Sequence, residues 1–186
     1  MTHDALRSPP SPFHLRPMTT ADLEAVSIIE EMAFSDPWPA AGYRREITEN
    51  ALARYRVLTM KEGGGMERLI GYHGYWMLAD EAHISTIAVH PEWRGRGLGQ
   101  LLLLDLLFMA YGEPATAATL EVRRSNTVAQ SLYLKYGFAI VGERRRYYRD
   151  REDALIMTAE PLDEKYYQMA LSKRDELYQR LVIGHW

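Results

Sequence analysis

The chain has 186 residues, the size of one domain that buries a full core without staples. Apolar residues make up 47% and charged residues 25%, which excludes disordered and fibrous classes. The lack of cysteine excludes disulfide scaffolds, zinc ribbons, iron–sulfur clusters and a thiol nucleophile. A net charge of −3, from 22 basic and 25 acidic residues, argues against a general nucleic-acid binder.

In chain order, Ser8-Pro9-Pro10-Ser11-Pro12 reads as the end of a flexible leader over residues 1–12, with no apolar core of a signal peptide. Residues 13–16 suit a short strand. Thr19 or Thr20 then caps a helix whose stripe is Leu23, Val26, Ile29 or Glu30, and Phe34. Asp36-Pro37-Trp38-Pro39 breaks it, and residues 40–49 form a second short helix. Strands are expected over 55–60, 70–78 and 83–89, with Gly63-Gly64-Gly65 turning between the first two.

A long helix begins around Gly97 and ends near Gly112. It is apolar on almost every side (Leu101 to Leu104, Leu106, Leu107, Phe108), so it must pack between layers. Residues 98–111 are too few to span a bilayer and include Asp105. A strand over 116–123 precedes a helix with Ala129, Leu132, Tyr133 and Tyr136 on one face, closed by Gly137 as a left-handed cap. Residues 138–141 and 154–157 supply the last strands. An amphipathic helix over 161–182 presents Leu162, Tyr166, Met169, the Lys173 stem, Leu177 and Leu181. The pattern predicts an α/β fold with a mixed sheet and antiparallel hairpins at both ends. Residues 13–160 form the domain and 161–186 a helical extension. A cytoplasmic protein without a membrane segment is expected.

Chemistry enters at Arg94-Gly95-Arg96-Gly97-Leu98-Gly99, between a strand and the buried helix. A helix N-terminus presents unpaired N–H groups and partial positive charge, a seat for pyrophosphate. Glycines let the backbone approach phosphate oxygens with no Cβ in the way. Gln100 stands where a dinucleotide fingerprint needs its third glycine, and the lysine of a Walker loop is missing. The pattern that fits is Arg/Gln-x-x-Gly-x-Gly, met by Arg94, Gly97 and Gly99. A ligand-free strand-to-helix turn is the alternative.

Other segments accompany this turn in order: Phe34-Ser35-Asp36-Pro37-Trp38, Ile87-Ala88-Val89-His90-Pro91-Glu92-Trp93, and Leu120-Glu121-Val122-Arg123-Arg124-Ser125-Asn126. They continue with Leu132-Tyr133-Leu134-Lys135-Tyr136-Gly137-Phe138, then Arg146-Tyr147-Tyr148 and Arg151-Glu152-Asp153-Ala154. Over residues 13–160 the sequence resembles the GNAT acetyltransferase superfamily and, more narrowly, its RimI-type ribosomal-protein alanine N-acetyltransferases. The resemblance implies a cleft where two neighbouring strands splay apart and hold acetyl-CoA. Main-chain groups of Ile87, Ala88 and Val89 would take the acetyl-pantetheine arm. Arg94, Gly95, Arg96, Gly97, Leu98, Gly99 and Gln100 would form the pyrophosphate seat. Asn126 would contact the cofactor near the pantetheine, and it equally suits the N-cap of the following helix.

Acetyl transfer to an amine requires a proton acceptor, a polarised carbonyl and a donor for the leaving thiolate. Glu121 is a carboxylate within an apolar strand, on the face of Thr119 and Arg123, and a charge there is costly unless paired or solvated. It reads as the base, acting through water, or as a salt-bridge partner of Arg123 or a residue at a sheet edge. Tyr133 by spacing is a core aromatic; the resemblance makes it the general acid beside the sulfur. The resemblance also assigns Phe34, Trp38, Tyr147 and Tyr148 to grip the substrate's N-terminal backbone. Arg144-Arg145-Arg146 reads alternatively as a solvated edge strand. The six histidines show no metal spacing, so no metal is expected.

An α-amine, with a pKa of about 8, is neutral in roughly a tenth of molecules at pH 7, against fewer than about one in a thousand for lysine. One carboxylate acting through water is adequate for the first and thin for the second. The expected partner is therefore a protein N-terminus, and the resemblance implies, most specifically, an alanine-starting small-subunit ribosomal protein. The rival readings are a small amine or lysine acceptor, and a non-catalytic acetyl-CoA-binding module that docks a partner through its terminal helix. The presence of Glu121, Tyr133 and Asn126 speaks against the last. Oligomeric state is not legible.

Overall fold

Seven strands carry the fold: β1 (Phe13–Pro17), β2 (Ala53–Lys61), β3 (Glu67–Leu78), β4 (Glu81–Val89), β5 (Ala117–Arg123), β6 (Ala139–Arg144) and β7 (Ala154–Ala159). Five helices accompany them: α1 (Leu23–Ala33), α2 (Ala40–Glu49), α3 (Leu98–Gly112), α4 (Thr127–Lys135) and α5 (Glu164–Ile183). This is a computed structural model, and it describes residues 12–61 and 66–183. Most of the expected leader and the Gly63-Gly64-Gly65 turn lie outside the described residues. Among those described, no helix is long and apolar enough to cross a membrane.

The strands form one mixed sheet in the order β1-β2-β3-β4-β5-β7-β6. Strands β1 to β4 pair antiparallel in succession, β4 and β5 run parallel, and β7 pairs antiparallel with both β5 and β6. The expected α/β class with antiparallel pairs at both ends is the architecture observed. A parallel pair needs a crossover, and the all-round apolar α3 supplies it. Its leucines are buried, with the sheet on one side and α5 on another. The charge inside that helix is paired: Asp105 Oδ2 lies 2.8 Å from His73 Nε2 and 3.2 Å from Arg56 Nε. Left alone, a buried carboxylate would cost several kcal/mol.

The parallel ladder positions the site. It runs from Glu81↔Ala117 to Ile84↔Leu120 and stops, although both strands continue. On the other side of β4, Gly74 pairs with Thr86 while Tyr75 pairs with Ile84, so Ser85 is an extra residue, a β-bulge. A bulge bends its strand, and this one falls where β4 parts from β5. Gly74 opposite it tolerates no side chain, since a Cβ there would lie 2.1 Å from the Tyr55 ring. Tyr55 instead reaches Ser85 Oγ with its hydroxyl at 3.0 Å.

Local chemistry sets the helix ends. A short 3-10 turn (Thr20–Asp22) leads into α1, with the Thr19 N–H donating to Asp22 Oδ2 at 2.8 Å. Helix α4 closes with the Phe138 N–H on the Tyr133 carbonyl, the Gly137 N–H on the Leu134 carbonyl, and Gly137 at φ +83°. Two expectations are corrected. Phe34 does not continue the α1 stripe: it follows the helix in extended backbone and is partly exposed, leaving Leu23, Val26, Ile29 and Glu30 buried. In α5 the buried face is Ala170, Arg174, Leu177 and Leu181, so Arg174 rather than Lys173 turns inward. Its guanidinium pairs with Asp175 Oδ1 at 2.8 Å and lies 5.9 Å from the rings of both Phe108 and Tyr178.

Candidate active site

A cleft of about 670 Å³ opens where β4 and β5 part, and its lining includes Phe34, Trp38, Glu121, Asn126, Tyr133 and Tyr148. Ile87 lines it as well, on the stretch of β4 that no longer pairs with β5. Val89 lies farther along that strand, where its carbonyl accepts from Arg94 Nε at 3.2 Å; Ala88 between them is buried.

Glu121 is the first β5 residue past the last β4–β5 pair. His83, in register with Thr119, stands diagonally across from it, with Nε2 at 3.1 Å from Oε2. The other carboxylate oxygen lies 3.1 Å from Arg144 Nη2, at the end of edge strand β6. The hydrogen bond from His83 holds Glu121 below the usual carboxylate range, against the opposing effect of burial. The same bond holds His83 above the usual imidazole range. Trp76 stacks on the imidazole at 5.9 Å between ring centres.

Arg123 is not the partner of Glu121, which corrects that alternative. Its Nη1 binds Asp150 at 2.7 Å and Glu152 at 2.8 Å, its Nη2 reaches Ser35 Oγ at 3.1 Å, and its guanidinium caps the Tyr148 ring at 3.9 Å. Strand alternation puts both residues on one face, but the turn after β6 brings competing carboxylates to Arg123. The loop after α1 and the β6–β7 loop are thereby tied together over the cleft, and Arg149 repeats the link with Asp36 at 2.9 Å.

Tyr133 is 9% exposed, and among the described residues its hydroxyl has no hydrogen-bond partner. Burial pushes the phenol well above its ordinary range, so it is protonated at any working pH. A buried tyrosine hydroxyl normally finds a partner, and this one lines the cavity instead. Tyr148, also lining the cleft, is pushed up to about 12 by burial. Tyr147 is not brought into the lining: it is exposed and meets Tyr148 edge-on at 5.2 Å.

The rim of the cleft at Trp38 hangs on Glu30. This buried carboxylate accepts the Trp38 N–H at 2.9 Å and the hydroxyls of Tyr43, at 3.1 Å, and Tyr72. Burial raises its carboxyl despite these donors. Trp38 packs edge-on against Tyr43 at 5.0 Å.

At the outer end of β4, Gly95 and Gly97 take φ +79° and +85°, and Gly97 caps α3. A Cβ on Gly95 would meet nothing within 4 Å, so the backbone lies open to a ligand. Among the described residues the N–H groups from Gly95 to Gly99 find no acceptor. Arg96 lies 4.6 Å over the Trp93 ring, and Leu98 is buried. The open backbone and its unpaired donors fit a pyrophosphate. A Cβ on Gly97, however, would stand 2.9 Å from Leu177 Cδ1, so a side chain there presses on α5 and not into the cradle. Asn126 caps α4, its Oδ1 accepting the Ala129 N–H at 3.1 Å.

Sequence reasoning missed three contributors. Spacing marks His83 for no role, and its tie to Glu121 depends on strand register. Arg144 belongs to a run whose members separate: Arg145, exposed, lies 3.4 Å from Glu143, and Arg146 turns at φ +51°. Glu30 carried a signal, a carboxylate on an apolar stripe.

A model of the acetyltransferase (GNAT) family matches residues 23–138. A Bacillus subtilis protein provisionally named a ribosomal protein bS18-alanine N-acetyltransferase is 40% identical over 144 residues, 77% of this chain and 92% of its own. The ribosomal protein bS18-alanine N-acetyltransferase of Escherichia coli is 33% identical over 143 residues, 75% of this chain and 92% of its own. The crystal structure of the ribosomal-protein-S18-alanine N-acetyltransferase from Escherichia coli superposes with a TM-score of 0.70 at 31% identity, covering 80% of this chain and 94% of that one.

Proposed function

This chain belongs to the GNAT acetyltransferase family and is an acetyl-CoA-dependent N-acetyltransferase; from that premise we propose that it acetylates the N-terminal alanine of ribosomal protein bS18. The observation that carries this reading is the pairing, in one cleft, of an ionised Glu121 with an unpartnered, protonated Tyr133. The names of the relatives support the acceptor.

Glu121 takes a proton from the incoming ammonium through water, leaving a neutral α-amine. The amine nitrogen bonds to the thioester carbonyl carbon as the carbon–sulfur bond breaks. Tyr133 gives its proton to the departing sulfur, and the newly bonded nitrogen sheds its surplus proton to water to leave the neutral amide. Tyr133 and Glu121 return to their starting states by proton exchange with solvent. A carboxylate held down by His83 is a modest base, and an α-amine with a pKa of about 8 asks for no more. The pyrophosphate rests on the N–H groups of Gly95 to Gly99, with Arg94, Arg96 and the Gln100 turn beside it. The pantetheine lies along main-chain groups of Ile87 to Val89 and beside Asn126. Phe34, Trp38 and Tyr148 hold the first residues of the acceptor, and Tyr147 flanks them from the rim.

The test is acetyl transfer from acetyl-CoA to a peptide with the bS18 N-terminus, compared with polyamines. The reading expects turnover on the peptide at a kcat/KM at least about a hundredfold higher, the equivalent of roughly 3 kcal/mol of transition-state discrimination. Preference for polyamines would replace it with a small-amine acceptor, and turnover on neither with a binding module.

A further inference from the structure

Helix α5 lies beyond the stretch matched by the family model, and the cleft gives it no task. It crosses the first turn of α3, where Leu177 meets Gly97 and Arg180 Nη2 comes 3.5 Å from the Gln100 carboxamide oxygen. The same oxygen accepts from Lys135 Nζ at 2.7 Å and from the Tyr136 hydroxyl at 3.1 Å. Lys173 Nζ stands 5.7 Å from the centre of the Tyr136 ring, and Lys135 Nζ stands 5.9 Å from it.

Three cations thus gather around one neutral amide and one aromatic face. Among the described residues none of the three forms an ion pair with a carboxylate. The Lys135 ammonium is held below its ordinary range by burial and then by Arg180 and Lys173, with Glu176 acting weakly the other way. Bringing like charges together costs free energy that a bound anion recovers. The place is adjacent to the open glycine turn, and two of the three cations come from α5.

We propose that Lys135, Lys173 and Arg180 bind the 3′-phosphate of coenzyme A, making α5 this chain's own addition to the acetyl-CoA site. The inference rests on the reading of Gly95 to Gly99 as the pyrophosphate seat. There, backbone N–H groups serve the diphosphate. The cations gather at the tip of the Gln100 side chain, off that backbone, and suit the coenzyme's separate phosphomonoester. A phosphomonoester carries close to two charges at neutral pH and three acceptor oxygens, enough for an ammonium pair and a guanidinium.

The experiment is calorimetric titration of coenzyme A and of 3′-dephospho-coenzyme A into the full chain. The proteins are wild type, Lys173→Gln/Arg180→Gln and Lys135→Gln, with melting curves for each. Wild type should prefer coenzyme A by roughly tenfold or more, and the preference should shrink with added salt. The double variant should bring it within about twofold while leaving the dephospho ligand's affinity in place. Lys135→Gln, which leaves α5 untouched, should narrow it in the same way and keeps the test valid if the double variant melts early. Equal wild-type binding of both ligands overturns the inference and leaves the pyrophosphate seat standing. Variants that weaken both ligands alike also overturn it, since the cations would then serve the diphosphate. Failure of wild type to bind either ligand removes the pyrophosphate reading itself.

Discussion

Glu121 sits between His83 and Arg144, and both lower its basicity. The proton it must accept comes from an ammonium, so lowering its basicity slows that transfer while keeping the carboxylate ready at lower pH. Glu121→Gln keeps shape and hydrogen bonding but cannot take the proton, and kcat is expected to fall by ~10²–10⁴-fold. The loss should shrink as pH approaches the α-amine pKa, because substrate then arrives neutral. His83→Gln tests the tie itself. With its main cause of depression removed, Glu121 regains a higher pKa, so the acid limb of kcat/KM should move to higher pH. An unmoved limb would detach His83 from the base.

The same pair has a stability signature. Glu121, lowered in the fold, stabilises above its unfolded pKa and loses that as pH falls through its folded value. His83, raised in the fold, stabilises below its unfolded pKa and loses that as pH rises through its folded value. The cost of His83→Gln to Tm should therefore be greatest between about pH 4.3 and 6.5, the unfolded values of the two groups. At Tyr133, phenylalanine keeps the packing and deletes the donor. A large fall in kcat with little change in Tm is expected, whereas lost stability with retained turnover would make it a core aromatic only.

At the scale of elements, α3 and α5 meet at Gly97. A side chain there must both adopt φ +85° and displace Leu177, so Gly97→Ala should cost at least about 1–2 kcal/mol and lower Tm. Thermal melts of Gly97→Ala, Leu177→Ala and the pair, combined as a double-mutant cycle, measure the coupling; strict additivity would contradict the contact. The pattern of apolar residues made most of these elements legible. Alternation marked the strands, the Asp36-Pro37-Trp38-Pro39 break set the start of α2, and an all-round apolar run placed α3 between layers. The glycine turn was legible because its backbone conformation needs particular residues. What alternation cannot supply is register: the diagonal from His83 to Glu121 joins residues 38 apart, and the choice of Arg123 for Asp150 and Glu152 depends on a loop. Periodicity does not choose between the adjacent cations Lys173 and Arg174, and packing turns Arg174 inward.

For the whole molecule, the cleft exists because a parallel ladder ends at Ile84↔Leu120 while a bulge at Ser85 bends one of its strands. Around that opening the α1–α2 and β6–β7 loops supply the proposed acceptor walls, with Arg123 tying the two loops together. These parts lead to one claim, that the acetyl group goes to an N-terminal α-amine. The most direct measurement uses a bS18-type peptide carrying both a free N-terminal alanine and an internal lysine, incubated with the full chain and acetyl-CoA. Fragment-ion mass spectrometry then locates the added acetyl group. The account predicts a single acetyl on the alanine nitrogen, with none on lysine at pH 7 and none when the N-terminus is blocked. Acetylation of the lysine, or persistence of transfer to the blocked peptide, would contradict it.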